Sequence, residues 1–343
     1  MIPNFRSDNI ATAHPDILRA VAEVNQGAAA AYGDDEYTVL MNRKFSEFFG
    51  KDVVVFPVST GTAANALSLA SCARPYGGIY CHQDAHIHTA EGGATEAYTG
   101  GAKLIPLPGP DFKLAPEVLA DALRHAERGV RNRPQPDAVS ITQASEYGTV
   151  YGLDDIAAIG AAAREAGIVF HMDGARFANA LSTLACTPAD MTWRRGVDIL
   201  SFGCTKNGGM NTEAIVVFKQ ALVEPLSYHL RRAGQTWSKM RFSAAQLMAY
   251  IDHGLLLQLA GKSNALAARL GRELDTLPGV ELVAPVQANL VFLRLPQTAI
   301  DKLAEAGVRF ARRRGGIIRL VTRFDGDDAE VDAMVALTRA ALA

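Results

Sequence analysis

Val53-Val-Val-Phe-Pro-Val-Ser-Thr-Gly-Thr62 is a β-branched run that breaks into a turn of small residues and opens a segment rich in alanine and leucine, Ala63 to Ser71. A strand passing through such a turn into a helix is the repeating unit of an α/β sheet. Short apolar runs at Ile79–Cys81, Leu104–Pro106, Ala138–Thr142, Ile168–Met172, Ile199–Phe202 and Ala214–Phe218 also read as strands, with alanine-rich stretches such as Ile156–Glu165 between several of them. This alternation predicts βαβ units and a mainly parallel sheet covered on both faces. A helix-period segment from Ala244 to Leu274 then leads into strands near Glu281–Ala284, Asn289–Leu295 and Ile317–Val321. The 343 residues exceed what one core usually holds. The expected division is a large domain, residues 1–245, and a smaller C-terminal α/β domain, residues 246–343.

Ligands of such sheets gather at the carboxyl ends of the strands. There, the backbone N–H groups at the start of the helix after Val58, with Ser59, Gly61 and Thr62 around them, make an anion site suited to a phosphate ester. No Gly-Lys-Ser/Thr ends the turn and no G-x-G-x-x-G opens the helix, so it is neither a Walker loop nor a dinucleotide fingerprint. Ile168-Val-Phe-His-Met-Asp173 brings a carboxylate to a strand tip, where Asp173 either caps the following helix, Gly174 to Thr183, or pairs with a pyridinium nitrogen. Ser201-Phe-Gly-Cys-Thr-Lys-Asn-Gly-Gly-Met210 places Lys206 at the end of another apolar run. A lysine so placed can lose its proton by desolvation and condense with an aldehyde. Phosphate turn, carboxylate and lysine in that order suit pyridoxal phosphate (PLP).

Cys81-His-Gln-Asp-Ala-His-Ile-His-Thr-Ala-Glu-Gly-Gly93 holds His82, His86 and His88. Their spacing raises a metal site, with Asp84 or Glu91 as the completing carboxylate, but no metalloenzyme motif is repeated and no metal is expected. An imidazole is also a flat surface for a pyridine ring and a proton relay. His86 is the candidate for both.

These motifs together resemble the low-specificity L-threonine aldolases and their relatives the L-phenylserine aldolases, PLP enzymes of the aspartate-aminotransferase fold type (fold type I). The likeness runs through most of the chain on Phe5-Arg-Ser-Asp8, Tyr32-Gly-Asp-Asp35, Ser59-Thr-Gly-Thr62, Asp84-Ala-His-Ile87, Asp173-Gly-Ala-Arg176 and Thr205-Lys206. It implies a large domain with a mainly parallel seven-stranded sheet flanked by helices, plus the smaller C-terminal domain. By resemblance His86 stacks on the cofactor, Asp173 meets the pyridine nitrogen and Lys206 binds the aldehyde carbon. Ser7, Arg176 and Arg319, the last in Gly316-Ile-Ile-Arg-Leu-Val321, would sit near the carboxylate of an amino-acid substrate. The activity so implied is retro-aldol cleavage of L-threonine, L-allo-threonine or L-phenylserine to glycine and an aldehyde, with His86 or a water it holds as base. The alternative is β-elimination or transamination on the same fold. Two segments depart from the pattern. Thr142-Gln-Ala-Ser-Glu146 replaces Glu-Asn-Thr-His-Asn, putting Ser145 where a histidine often stands, and Lys206-Asn-Gly-Gly-Met-Asn211 replaces Lys-Gly-Leu-Gly-Ala-Pro.

A net charge of −2 and pI near 6.5 leave no electrostatic footprint for nucleic acid or an anionic membrane. The basic clusters Arg231-Arg232 and Arg312-Arg-Arg314 read as solvated or interface charge. Cys72, Cys81, Cys186 and Cys204 show no C-x-x-C, in keeping with reduced thiols and a cytoplasmic location. No apolar stretch reaches the ~18 residues that span a bilayer. The resemblance also implies a homo-oligomer, dimer or tetramer, with the site between subunits and Arg231 and Arg241 as cross-subunit phosphate contacts.

Overall fold

The computed structural model describes residues 2–343. Seven strands form one sheet: β1 (Val54–Val58), β2 (Gly77–His82), β3 (Lys103–Leu107), β4 (Gln135–Thr142), β5 (Val169–Gly174), β6 (Ile199–Phe202) and β7 (Glu213–Val217), in the spatial order β1-β7-β6-β5-β4-β2-β3. All pairs between β3 and β6 are parallel, and β7 alone runs against its neighbours β1 and β6. The carboxyl ends of β1, β4, β5 and β6 therefore share one edge.

Both faces are covered, which is why the strands read as continuous apolar runs rather than alternating ones. All residues of β6 and β7 are buried. Behind them Phe45, Phe49, Phe177 and Phe202 interlock, with Phe45 and Phe202 edge-to-face at 5.4 Å. A second, antiparallel sheet of β8 (Glu281–Leu282), β9 (Leu290–Arg294), β10 (Ala311–Arg312) and β11 (Ile317–Val321) is ordered β10-β11-β9-β8. Its core joins Leu293, Ile318 and Met334 with Phe5 from the N-terminal segment.

The helical period between Ala244 and Leu274 resolves into two helices, Arg241–Ile251 and Leu255–Asp275. The break falls at Asp252-His253-Gly254, where His253 and Gly254 take φ of 49° and 72°, a left-handed conformation that ends the first helix. The second helix then spans both cores: Leu256 and Leu259 pack in the larger, Leu270 and Leu274 in the smaller.

Candidate active site

A cavity of about 430 Å³ opens at the carboxyl edge of the large sheet, and nine candidates of the sequence analysis line it: Ser7, Ser59, Gly61, Thr62, His86, Asp173, Arg176, Lys206 and Arg319; Arg231 and Arg241, expected to act across subunits, do not. They arrive from β1, β5, β6, β11, two helix starts and the N-terminal segment.

At the end of β1 the helix begins at Gly61, with Thr60 Oγ1 capping it by accepting the N–H of Ala63 at 3.1 Å. The N–H groups of Gly61 and Thr62 have no hydrogen-bond partner among the described residues and stand free for an anion. Ser59 differs from the expectation: its N–H and hydroxyl both donate to Gln235 Oε1, at 2.9 and 3.0 Å. It thus fastens the turn to a loop far along the chain, and Gly61 and Thr62 hold the free donors.

Asp173 is buried at the end of β5. Its Oδ1 accepts the N–H of Ala175 at 3.0 Å, and its Oδ2 accepts from Asn65 Nδ2 at 2.9 Å. The capping geometry therefore uses one oxygen, while the helix itself starts later, at Phe177. Asn65 Nδ2 also donates to Glu91 Oε1 at 2.9 Å, and Glu91 Oε1 meets His86 Nδ1 at 2.7 Å. His86 and Asp173 are thus linked through two residues that the sequence did not assign to one network. The hydrogen bond to Glu91 outweighs burial and raises the His86 pKa; burial raises that of Glu91, with His86 opposing. The other histidines diverge. His82 is buried, with its pKa lowered by that burial, and His88 is exposed. Among the described residues no group of three or more His, Cys, Asp or Glu is arranged to hold a metal.

Lys206 lies on a short 3-10 turn, Thr205–Asn207, directly after β6. The turn is pinned from both sides: Glu213 Oε2 accepts the N–H groups of Cys204 and Thr205, and Asn207 Nδ2 donates to Tyr250 Oη at 2.8 Å and Leu256 O at 2.9 Å. Glu213 also lines the cavity, and burial raises its pKa while the Lys206 charge opposes.

Two guanidinium groups close the far side. Arg176 donates from Nε and Nη2 to Asp8, at 2.8 and 3.1 Å. Arg319, on β11 of the small sheet, donates from Nη2 to Arg6 O at 3.2 Å, and its buried Nε has no partner among the described residues. Burial, Arg176 and Arg313 all lower the Arg319 pKa, so an anion beside it relieves both desolvation and repulsion. Ser145, at the position of the family histidine, does not line the cavity; its buried hydroxyl bonds Thr149 Oγ1 at 2.6 Å, and the next residue, Glu146, lines it instead.

PLP fits this donor set. The free N–H groups of Gly61 and Thr62 suit its phosphate, Asp173 its ring nitrogen, His86 its ring face and Lys206 Nζ its aldehyde carbon. The unpartnered Arg319 Nε calls for a further anion, as an amino-acid carboxylate would provide.

Residues 4–297 match the family model described as beta-eliminating lyase. The low specificity L-threonine aldolase of a Pseudomonas species is 39% identical over 98% of this chain and 97% of that protein, and the one of Pseudomonas aeruginosa is 41% identical over 94% and 93%. The structure of Leishmania major threonine aldolase superposes with a TM-score of 0.91 at 29% identity, covering 99% of this chain and 100% of that one.

Proposed function

The chain belongs to the beta-eliminating lyase family, and from that premise we propose that it is a PLP-dependent aldehyde-lyase, cleaving L-β-hydroxy-α-amino acids to glycine and an aldehyde. The relatives' activity supports L-threonine as substrate, and we extend the range to L-allo-threonine and L-phenylserine. One observation carries the reading: Lys206, Asp173, the Gly61 and Thr62 N–H groups and both arginines converge on one cavity.

When bound, PLP supplies an electron sink for the bond that breaks at the substrate Cα. Gly61 and Thr62 hold its phosphate through N–H groups at a helix start, and the Asp173 carboxylate keeps the ring nitrogen protonated. Lys206 would hold the cofactor through its aldehyde carbon, and its Nζ, in the same cavity, is placed to return a proton to the Cα of glycine. Arg319 and the remaining Nη1 of Arg176, with the Ser7 hydroxyl, bind the substrate carboxylate by charge-assisted bonds. Fixing that carboxylate decides which Cα bond is set for cleavage. With Cα–Cβ in that position the outcome is aldol cleavage rather than transamination or decarboxylation. His86, tied to Glu91 through Nδ1, keeps a fixed ring face and leaves Nε2 to relay protons.

We place the active unit in a homo-oligomer, dimer or tetramer, in the cytoplasm. Arg231, stacked on the Tyr32 ring at 5.2 Å, and Arg241, donating to Gln26 O and Gly27 O, lie outside the cavity of their own chain, which suits a role toward a neighbouring subunit. No helix among the described residues is long and apolar enough to cross a membrane, and the four cysteines are free.

The decisive assay measures glycine and aldehyde release by PLP-loaded protein from L-threonine, L-allo-threonine and L-phenylserine, with D-threonine and Lys206→Ala as controls. Release from the L-substrates alone, lost in Lys206→Ala, is the expected result. Pyruvate or a ketoacid in place of aldehyde would overturn the aldol reading in favour of elimination or transamination.

A further inference from the structure

Four carboxylates line the cavity: Glu91, Glu146, Asp173 and Glu213. Three are already engaged, by His86 and Asn65, by Asn65 and Ala175, and by the backbone of Cys204 and Thr205. Glu146 alone of the four has no hydrogen-bond or ion-pair partner among the described residues. It lines one cavity with His86, Arg176 and Arg319, the groups assigned to cofactor and substrate, and its charge bears on all three.

The backbone that carries it is held firmly. Ser145 N–H donates to Thr149 O and Gly148 N–H to Ser145 O, both at 2.9 Å, and Thr149 Oγ1 donates to Asp111 O at 2.6 Å. Tyr147 is stacked between Phe112, with centroids 3.5 Å apart, and Phe292 of the small sheet, at 4.4 Å. Gly148, at φ 81°, packs so closely on Leu290 that an added Cβ would lie 2.9 Å from the leucine Cβ. A turn clamped on three sides holds one charged side chain at the cavity wall, and no hydrogen-bond or ion-pair partner among the described residues takes up that charge.

We propose that Glu146 receives the substrate's β-hydroxyl, first as hydrogen-bond acceptor and then as acceptor of its proton, an inference that rests on the retro-aldol reading above. The hydroxyl proton passes to a Glu146 oxygen and the O–Cβ bond becomes the aldehyde C=O. The Cα–Cβ bond breaks, leaving its electron pair with the glycine fragment, whose Cα then takes a proton. The other two candidates serve this step less well. Ser145 has its hydroxyl committed to Thr149, and the Glu91 bond biases His86 toward the protonated, donating form.

The test compares PLP-loaded wild type, Glu146→Gln and Glu146→Asp on L-threonine and on glycine, which binds through the same carboxylate and amine but has no β-hydroxyl. Glu146→Gln should lower kcat for L-threonine cleavage by roughly 100-fold or more. Its dissociation constant for glycine, followed by absorbance, and its rate of glycine α-proton exchange should stay within about threefold of wild type, and Glu146→Asp should recover part of the loss. Cleavage within about threefold of wild type in Glu146→Gln overturns the proposal. So does glycine binding that weakens in step with cleavage, because Glu146 would then act through the arginines. A wild type that binds and exchanges glycine yet cleaves no β-hydroxy amino acid overturns the retro-aldol reading itself, and this inference with it.

Discussion

His171 shows how much one residue outside the cavity can govern. It is fully buried on β5, two positions before Asp173, with Nδ1 at 2.8 Å from Ser140 Oγ on β4 and Nε2 at 3.0 Å from Ser201 Oγ on β6. Burial pushes its pKa down to about 4, although Asp173 pulls the other way. The imidazole is therefore neutral at physiological pH, and each hydroxyl meets a ring nitrogen without a buried charge. Between about 4 and the ordinary 6.5 the unfolded chain binds a proton that the folded chain refuses, so stability is complete above that window and is lost as pH falls through it. The full loss corresponds to roughly 3 kcal/mol, of which roughly 2 fall between pH 6.5 and 5. Urea unfolding at pH 7.5 and pH 5 should show wild type losing about 2 kcal/mol more than His171→Gln, which does not titrate there. Equal losses in the two proteins would rule out this account.

At the scale of elements, the site depends on how closely the loops after β5 and β6 approach. A Cβ on Gly203 would lie 2.4 Å from the carbonyl oxygen of Ala175, and no flexible side chain is there to yield. Gly203→Ala must therefore separate the two strand ends, and with them Asp173 from Lys206. We expect a stability loss of about 1–3 kcal/mol together with a weaker affinity for PLP, read by thermal denaturation and by cofactor titration; a variant unchanged in both would show that the strand ends adjust freely. The strands themselves were legible in the sequence because a covered parallel sheet demands uninterrupted apolar runs. Their ends were less so: β4 begins at Gln135, three residues before its apolar part, because backbone pairing does not require apolar side chains. The helix break at His253-Gly254 is a backbone choice that the apolar period runs straight across. Lys206, Asp173 and the phosphate turn could be read because each sits at a strand end with its own local signal. Asn65 could not, since its role follows from contacts with distant segments and its only local clue is an asparagine amid Ala63-Ala-Asn-Ala-Leu67; Glu91 stands in the same segment as His86 but reads there as a metal carboxylate rather than as the imidazole's partner. The commitment of Ser59 to Gln235 is equally non-local.

At the scale of the whole molecule, the cavity lies between two cores, and Asp8 is one of the residues that join them. It is buried in the N-terminal segment, accepting from Arg176 of the large core and, at 3.0 Å, from Asn289 Nδ2 just before β9. Burial by itself would raise the Asp8 pKa, but the charges of Arg176 and Lys206 and the two side-chain bonds bring it below the ordinary value. Its contribution to stability is therefore present above the usual carboxylate range and disappears as pH falls through the lower, folded value. Asp8→Ala removes the charge that neutralises a buried guanidinium, and the expected cost is about 3–5 kcal/mol. Asp8→Asn, which keeps acceptor capacity and loses the charge, should cost less. The two variants also separate joining from binding. If Asp8 only holds the bodies together, Asp8→Asn should lower the melting temperature and leave KM for the amino acid unchanged. If it also fixes which edge of Arg176 faces the substrate carboxylate, KM should rise in both variants, because an unrestrained guanidinium pays rotational entropy to meet its ligand. The second result is the one expected, since Nε and Nη2 are both spent on Asp8 and only that pairing leaves Nη1 directed to a different partner.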